Sequence, residues 1–124
     1  MNKRAAIFAW ILGLSVALGA FGAHGLKGKI SAEALQTYQT GIQYLVIHAL
    51  GGLFLSRIQL SSSIFHLLWI GMILFTGSLL LVSTRELIGI EALKNAGIIT
   101  PFGGLSWISA WIISGWQLYK NPIQ

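Results

Sequence analysis

Charged side chains divide this chain into four long uncharged segments. The segments are Ala5–Leu26, Ala34–Ser56, Ile58–Thr84 and Asn95–Tyr119, with 22, 23, 27 and 25 residues. A helix needs about 20 predominantly apolar residues to cross the hydrocarbon core of a bilayer. The pattern therefore predicts a single all-α transmembrane domain over residues 1–124, an integral membrane four-helix bundle with short loops.

We place the four membrane spans at about residues 5–23, 42–58, 64–84 and 101–119. The second span is preceded by a helix-forming segment that is too polar for lipid, with Ser31 in position to cap it. Its polar side chains are Gln36, Thr37, Tyr38, Gln39, Thr40 and Gln43. We expect one helix that begins near the headgroups and continues into the second span, with its polar half in contact with protein or water.

The first span contains two ridges of small residues, each with a four-residue repeat. Small residues allow helix backbones to approach closely in lipid. The ridges are Ala9, Gly13 and Ala17 on one side and Ser15, Gly19 and Ala23 on the other. We therefore predict that the first span packs between two neighbouring helices.

Composition and charge agree with a membrane protein. Hydrophobic residues make up 55% of the chain and charged residues 9%, against about 25% charged residues in a typical soluble domain. The net charge is +5, but the eight basic residues lie scattered at the ends of the spans and form no patch for nucleic acid. The chain has no cysteine, which excludes disulfides, thiolate catalysis and cysteine-ligated metals. The predicted partner is the lipid bilayer.

Orientation in the membrane does not follow from the basic residues. Lys3, Arg4, Arg57 and Lys120 flank one end of the spans, and the other four basic residues flank the opposite end. The positive-inside rule counts such residues and therefore gives no preference here.

His48 is the main candidate for chemistry, because an imidazole in the middle of a span requires a partner or water. Thr40, Tyr44 and His48 follow one another at four-residue steps and share one helix face. Two interpretations stay open. The residue either handles protons or contacts a ligand, or its hydrogen bond holds the bundle together.

His24 lies at the far end of the first span, between glycines, where an antiparallel neighbour would bring it near Gln43 or Tyr44. These residues define a candidate intramembrane polar site, His24, Gln43, Tyr44 and His48. Its spacing matches no recognised metal-ligand pattern. We predict no catalytic residue, no metal and no cofactor.

Thr100 and Pro101 predict the start of the fourth span, with threonine as the cap and proline in the first helical position. Backbone amides at such a start can hold an anion or carboxylate. Alternatively, Gly103 and Gly104 allow a neighbouring helix to pack closely. Thr100, Gly103 and Gly104 are therefore a candidate anion or packing site.

Several motifs together resemble a known family. They are Leu18–Leu26, Tyr38–Tyr44, His48–Leu50 and Ile99–Gly104, in this order. The chain is similar to the small four-helix membrane proteins of the YgdD/YwdK type, a UPF0382-like domain of unknown function. The resemblance implies architecture and a membrane location but no activity. The residues that match the family pattern are His24, His48, Pro101, Gly103 and Gly104.

We expect a multi-pass protein of a bacterial cytoplasmic membrane that is not an enzyme. Short loops leave little surface for a soluble substrate, which favours an accessory or structural subunit that acts by lateral helix packing, as a homo-oligomer or in a larger membrane complex. The alternative is a small homo-oligomeric transporter or channel with a polar path around His48.

Overall fold

The computed structural model describes residues 2–120, which form four long helices and no β-strand. Helix α1 covers Lys3–Leu26, α2 covers Ala32–Leu55, α3 covers Ser62–Ile88 and α4 covers Thr100–Lys120. Three helical stretches, α1, α3 and α4 with the residues that precede it, are long and apolar enough to cross a membrane. The prediction of an all-α integral membrane bundle is confirmed.

Helix α2 differs most from its predicted span. It begins at Ala32, where the Ser31 side chain accepts a hydrogen bond from the Ala34 amide, and it ends at Leu55 rather than near residue 58. Its 24 residues include the polar half that we expected to lie in the same helix. This polar half is why α2 is less apolar than the other three helices.

Three short stretches depart from α-helical geometry. The last turn of α1, Phe21–Leu26, and a turn inside α3, Met72–Thr76, are π-helical, and Glu91–Ile98 forms a 3-10 helix before α4. Gly89 ends α3 in the left-handed conformation, at φ 80°, which glycine adopts without a steric penalty. Neither π turn was predicted, because the pattern of hydrophobic residues does not distinguish a π turn from a regular α-helical turn.

Helices α1 and α2 form an antiparallel pair. A side chain at Gly22 would lie 2.7 Å from the Tyr38 ring, and one at Gly19 would contact Ile42 at 3.8 Å. The Tyr38 hydroxyl donates a hydrogen bond of 2.8 Å to the carbonyl oxygen of Leu18. At this end of the pair, the contact therefore depends on small residues in α1 opposite larger ones in α2.

Only one ridge of α1 packs within the bundle. Ser15 is buried, whereas Ala9, Gly13 and Ala17 are exposed. The prediction that α1 packs between two neighbours on opposite sides is therefore wrong for this chain by itself. The four-residue spacing was correct for a helix, but spacing does not say which face another helix covers.

Helices α3 and α4 form the second close pair. The Ser106 hydroxyl donates a 2.8 Å hydrogen bond to the Leu67 carbonyl, and the Trp107 indole nitrogen donates one of 3.1 Å to the Leu68 carbonyl. The Thr76 hydroxyl links α3 to α2 by donating to the Gly41 carbonyl at 3.1 Å. Interhelical hydrogen bonds of this kind hold helices together in lipid.

The end of the bundle that contains the N-terminus is held by polar contacts. The Asn2 side-chain amide donates to the Ser56 carbonyl at 2.7 Å, and Arg4 donates to the Ser62 hydroxyl at 2.7 Å. The backbone amide of Ser61 donates to the Gln117 side-chain oxygen at 3.0 Å. These bonds connect α1, the α2–α3 link and the end of α4.

We predict that Gly52→Ala destabilises the bundle. Phe8 is fully buried and stacks on Trp69, and a Cβ at Gly52 would lie 2.8 Å from Cδ1 of the Phe8 ring. The overlap is expected to cost about 1–3 kcal/mol, measurable as a lower unfolding temperature in detergent micelles. Gly13→Ala is the control, because its Cβ would meet nothing within 4 Å. Equal unfolding temperatures for the two variants would contradict this account of the packing.

Candidate functional site

His48 lies in the interior of the bundle, on the face of α2 that meets α4. Only 6% of its surface is exposed. Its Nδ1 atom is 2.7 Å from the carbonyl oxygen of Tyr44, one turn earlier in the same helix. A carbonyl oxygen can only accept, so Nδ1 donates in this hydrogen bond, and Nε2 forms no hydrogen bond within residues 2–120.

The His48 ring stacks on the indole of Trp107 in α4. The ring centroids are 3.6 Å apart and the planes are inclined by 11°. Trp107 is 3% exposed, and it fits beside Gly71, where any side chain would overlap the indole. Three more rings surround this pair at centroid distances of 4.8–6.2 Å. We call Tyr44, His48, Phe75, Trp107 and Trp111 the aromatic cluster.

The structure brings together two of the four residues of the candidate polar site. Tyr44 and His48 lie in the aromatic cluster, with ring centroids 6.1 Å apart. Gln43 is exposed on the outer surface of α2, and His24 is exposed in the last turn of α1. Because Gly22 packs against Tyr38, His24 lies level with the start of α2, about 12 Å along the helix axis from Tyr44. A role in function for any of these four side chains stays a prediction.

Thr100 is not the cap of α4. The Ile99 carbonyl accepts hydrogen bonds from the amides of Phe102 and Gly103, so the helical hydrogen bonding begins one residue earlier than predicted. The Thr100 hydroxyl instead forms a 2.6 Å hydrogen bond with the hydroxyl of Ser78 in α3. Protein groups therefore use the Thr100 hydroxyl and two of the amides that an anion would need.

Gly103 and Gly104 lie against the π turn of α3. A Cβ at Gly103 would be 2.8 Å from the Cα of Phe75, whereas one at Gly104 would be 3.8 Å from its ring. Gly103 is buried and Gly104 half-buried. This geometry corresponds to the packing alternative for the site, and binding of an anion here stays an untested prediction.

Sequence reasoning missed Phe75, Thr76 and Ser78 as interhelical contacts. Phe75 and Thr76 belong to the π turn Met72–Thr76, and Ser78 follows it. Trp107 and Trp111, which lie four residues apart in α4, were also missed as partners of His48. Across residues 2–120, no three histidine, aspartate or glutamate side chains come together to hold a metal ion.

Comparison with known proteins identifies the family to which this chain belongs. The family model described as "Protein of unknown function (DUF423)" matches residues 18–104. This chain belongs to the DUF423 family. The matched region extends from the end of α1 to the first turn of α4 and includes both π turns. It contains both partners of the Tyr38–Leu18 and Gly103–Phe75 contacts, whereas Trp107, on which His48 stacks, lies beyond it.

Curated relatives of this DUF423 protein are named as membrane proteins. It is 43% identical over 108 residues to the UPF0382 membrane protein YwdK of Bacillus subtilis, across 81% of this chain and 82% of YwdK. It is 34% identical to the UPF0382 membrane protein SH2409 of Staphylococcus haemolyticus, across 81% of each chain. No solved structure matches it. The predicted family and the membrane location are confirmed.

We predict that Gly103→Ala destabilises this DUF423 protein and that Gly104→Ala does not. The Gly103 Cβ would overlap backbone atoms of Phe75, which cannot move without shifting α3. The expected loss is about 1–3 kcal/mol, whereas the adjacent variant has room for its methyl group. Thermal unfolding followed by tryptophan fluorescence in micelles compares the two. Destabilisation by Gly104→Ala alone would refute this assignment.

Proposed function

We propose that this DUF423 protein is a non-enzymatic, multi-pass subunit of a bacterial cytoplasmic membrane that acts by lateral helix packing, as an accessory or structural component. The placement of His48 carries the proposal. One ring nitrogen bonds inside its own helix, and one ring face is covered by Trp107. The residue best suited for chemistry is therefore engaged in holding α2 against α4.

Other intramembrane polar side chains support the same proposal. A hydroxyl in hydrocarbon is costly without a hydrogen bond. Ser15 donates to the Leu12 carbonyl at 2.8 Å, and Ser114 donates to the Ala110 carbonyl at 2.7 Å. Thr76 and Ser106 bond to carbonyls of neighbouring helices. Hydroxyls with such partners stabilise a packed bundle and are not free to line a hydrated path.

The connections between helices also favour a role within the membrane. The α1–α2 and α2–α3 links are short, and the longest connection is mostly the 3-10 helix Glu91–Ile98. Arg85 in α3 forms an ion pair of 3.8 Å with Glu91 of this connection and one of 3.4 Å with its neighbour Glu86 in α3. Little chain extends outside the bundle for a soluble substrate to contact, and the largest available surface is the one that faces lipid.

A transporter or channel is the second candidate, and one observation favours it. Tyr44 is 41% exposed and stacks near His48, whose Nε2 atom has no hydrogen bond within residues 2–120. In an oligomer, these two groups could face a polar path between copies. This function requires flux of an ion or small molecule, which the structural role does not.

Variants of His48 distinguish the two functions. If the ring acts by stacking on Trp107, His48→Leu should lower the free energy of unfolding by about 1–3 kcal/mol, and His48→Phe, which keeps a flat ring, should recover most of it. Thermal unfolding in micelles measures both. If proteoliposomes of the original protein conduct protons and both variants abolish conduction while they remain stable, the transporter is correct.

Native mass spectrometry of the protein, extracted gently from its own membranes, tests the proposed role directly. An accessory subunit should be recovered with one unrelated membrane protein in a fixed ratio. A defined homo-oligomer that retains a small molecule would support the transporter instead. Recovery as a monomer, with neither partner nor ligand, would contradict both functions.

A further inference from the structure

The outer face of α2 has a seven-residue repeat that no other helix of the bundle covers. One series consists of Gln36, Gln43 and Leu50, and the other consists of Thr40, Ile47 and Phe54. All of these side chains are exposed except Thr40, which is half-buried. Spacings of four and three residues in alternation form the contact line of a left-handed helix pair. The exposed face of α2 therefore has the pattern of a helix that packs against another helix.

Gln43 lies near the middle of the membrane on this face, deeper than the predicted span of residues 42–58 would place it. Gly19 packs against Ile42, so Gln43 is level with about Leu18 in α1. Leu18 lies close to the midpoint between Arg4 and Lys27, which flank α1, and so within about 5 Å of the bilayer centre. Within residues 2–120 no group hydrogen-bonds to the Gln43 amide, whereas neighbouring Thr40 and His48 bond inside their own helix.

An amide at this depth requires a partner that itself lies in the hydrocarbon. Acyl chains cannot form hydrogen bonds, and the nearer headgroup boundary is about 10 Å away. A second copy inserted in the same direction presents its own Gln43 at the same depth. A carboxamide both donates and accepts, so two such groups satisfy one another across a two-fold axis.

We infer that two copies of this chain pair through the outer faces of α2, with the Gln43 amides hydrogen-bonded to each other at the centre of the interface. The two α2 helices run parallel and in register, so that Gln36 faces Gln36 and Leu50 faces Leu50. The glutamine at the contact line fixes this register, as a single polar residue does in a coiled coil. This inference deepens the proposed function, because it names the surface through which lateral packing occurs.

Cross-linking tests the interface in membranes, and the chain's lack of cysteine makes each single-cysteine variant unambiguous. Gln43→Cys should form a disulfide-linked dimer with an oxidant, as should Gln36→Cys and Leu50→Cys. The control is Val16→Cys, which is 72% exposed on α1 and lies within one helical turn of Gln43 in depth. Equal dimer yields for Val16→Cys and Gln43→Cys would overturn the inference. An antiparallel pair would also overturn it, since Gln36→Cys would then fail to cross-link.

Sedimentation equilibrium in micelles tests the hydrogen bond itself. Gln43→Leu should raise the dimer dissociation constant about tenfold, and Gln43→Asn, which keeps the carboxamide, should restore most of the affinity. Residue 43 lies outside the packed core, so thermal unfolding of the monomer, measured below the dimer dissociation constant, should be unchanged. A Gln43→Leu variant that dimerises as well as the original protein would refute the role of the amide.

Different measurements would refute the proposed accessory role and the proposed α2 interface. If Gln43→Cys does not cross-link but an unrelated subunit is recovered in fixed ratio, the interface is wrong and the accessory role stands. If Gln43→Cys cross-links but proteoliposomes conduct protons and His48 variants abolish it, the interface stands and the accessory role is wrong.

Discussion

The position of Trp107 is the constraint on which the packing of α2, α3 and α4 depends. Its indole stacks on His48, lies against Gly71 and donates its N–H to the Leu68 carbonyl. Lipid tails are as apolar as the side chains, so helices in a bilayer associate through close contact and hydrogen bonds. A large ring opposite a glycine provides close contact, and the indole N–H adds the hydrogen bond. The same pairing of a ring with a glycine occurs at Phe8 and Gly52 and at Trp111 and Gly51.

This close packing also determines the hydrogen-bond partners of the polar groups inside the bundle. Where glycine brings backbones together, carbonyl oxygens of one helix come within reach of hydroxyls of the next, as in the bonds of Thr76 to Gly41 and Ser106 to Leu67. In these two bonds, protein rather than water satisfies the hydroxyl donors. The polar content of the interior is therefore consistent with a rigid bundle, and it is not by itself a sign of transport.

The four helices could be predicted from the sequence because charges mark the ends of the hydrophobic segments directly. The candidate site could be predicted only in part, because its geometry depends on register. The sequence shows which glycines permit close packing, but it does not show which side chain each glycine faces. Gly13 and Gly19 both belong to ridges with a four-residue spacing, yet Gly13 is exposed and Gly19 packs against Ile42. An antiparallel α1–α2 pair was expected, yet its register places His24 far from Tyr44. Phe75, which lies against Gly103, belongs to the π turn Met72–Thr76, and no sequence pattern indicates such a turn.

Helix α2 combines two kinds of polar residue, and the difference between them relates its structure to lateral packing. On its inner face, Tyr38 forms a hydrogen bond with the Leu18 carbonyl and His48 forms one with the Tyr44 carbonyl. These two side chains therefore need no hydrogen-bond partner from another molecule. On its outer face, Gln43 is exposed at about the same depth with no such bond within residues 2–120. Contacts within the monomer therefore explain the polar residues on the inner face of α2 but not Gln43 on its outer face. The remaining polarity has a physical reason if that face meets protein, because the bilayer alone would favour leucine at this position.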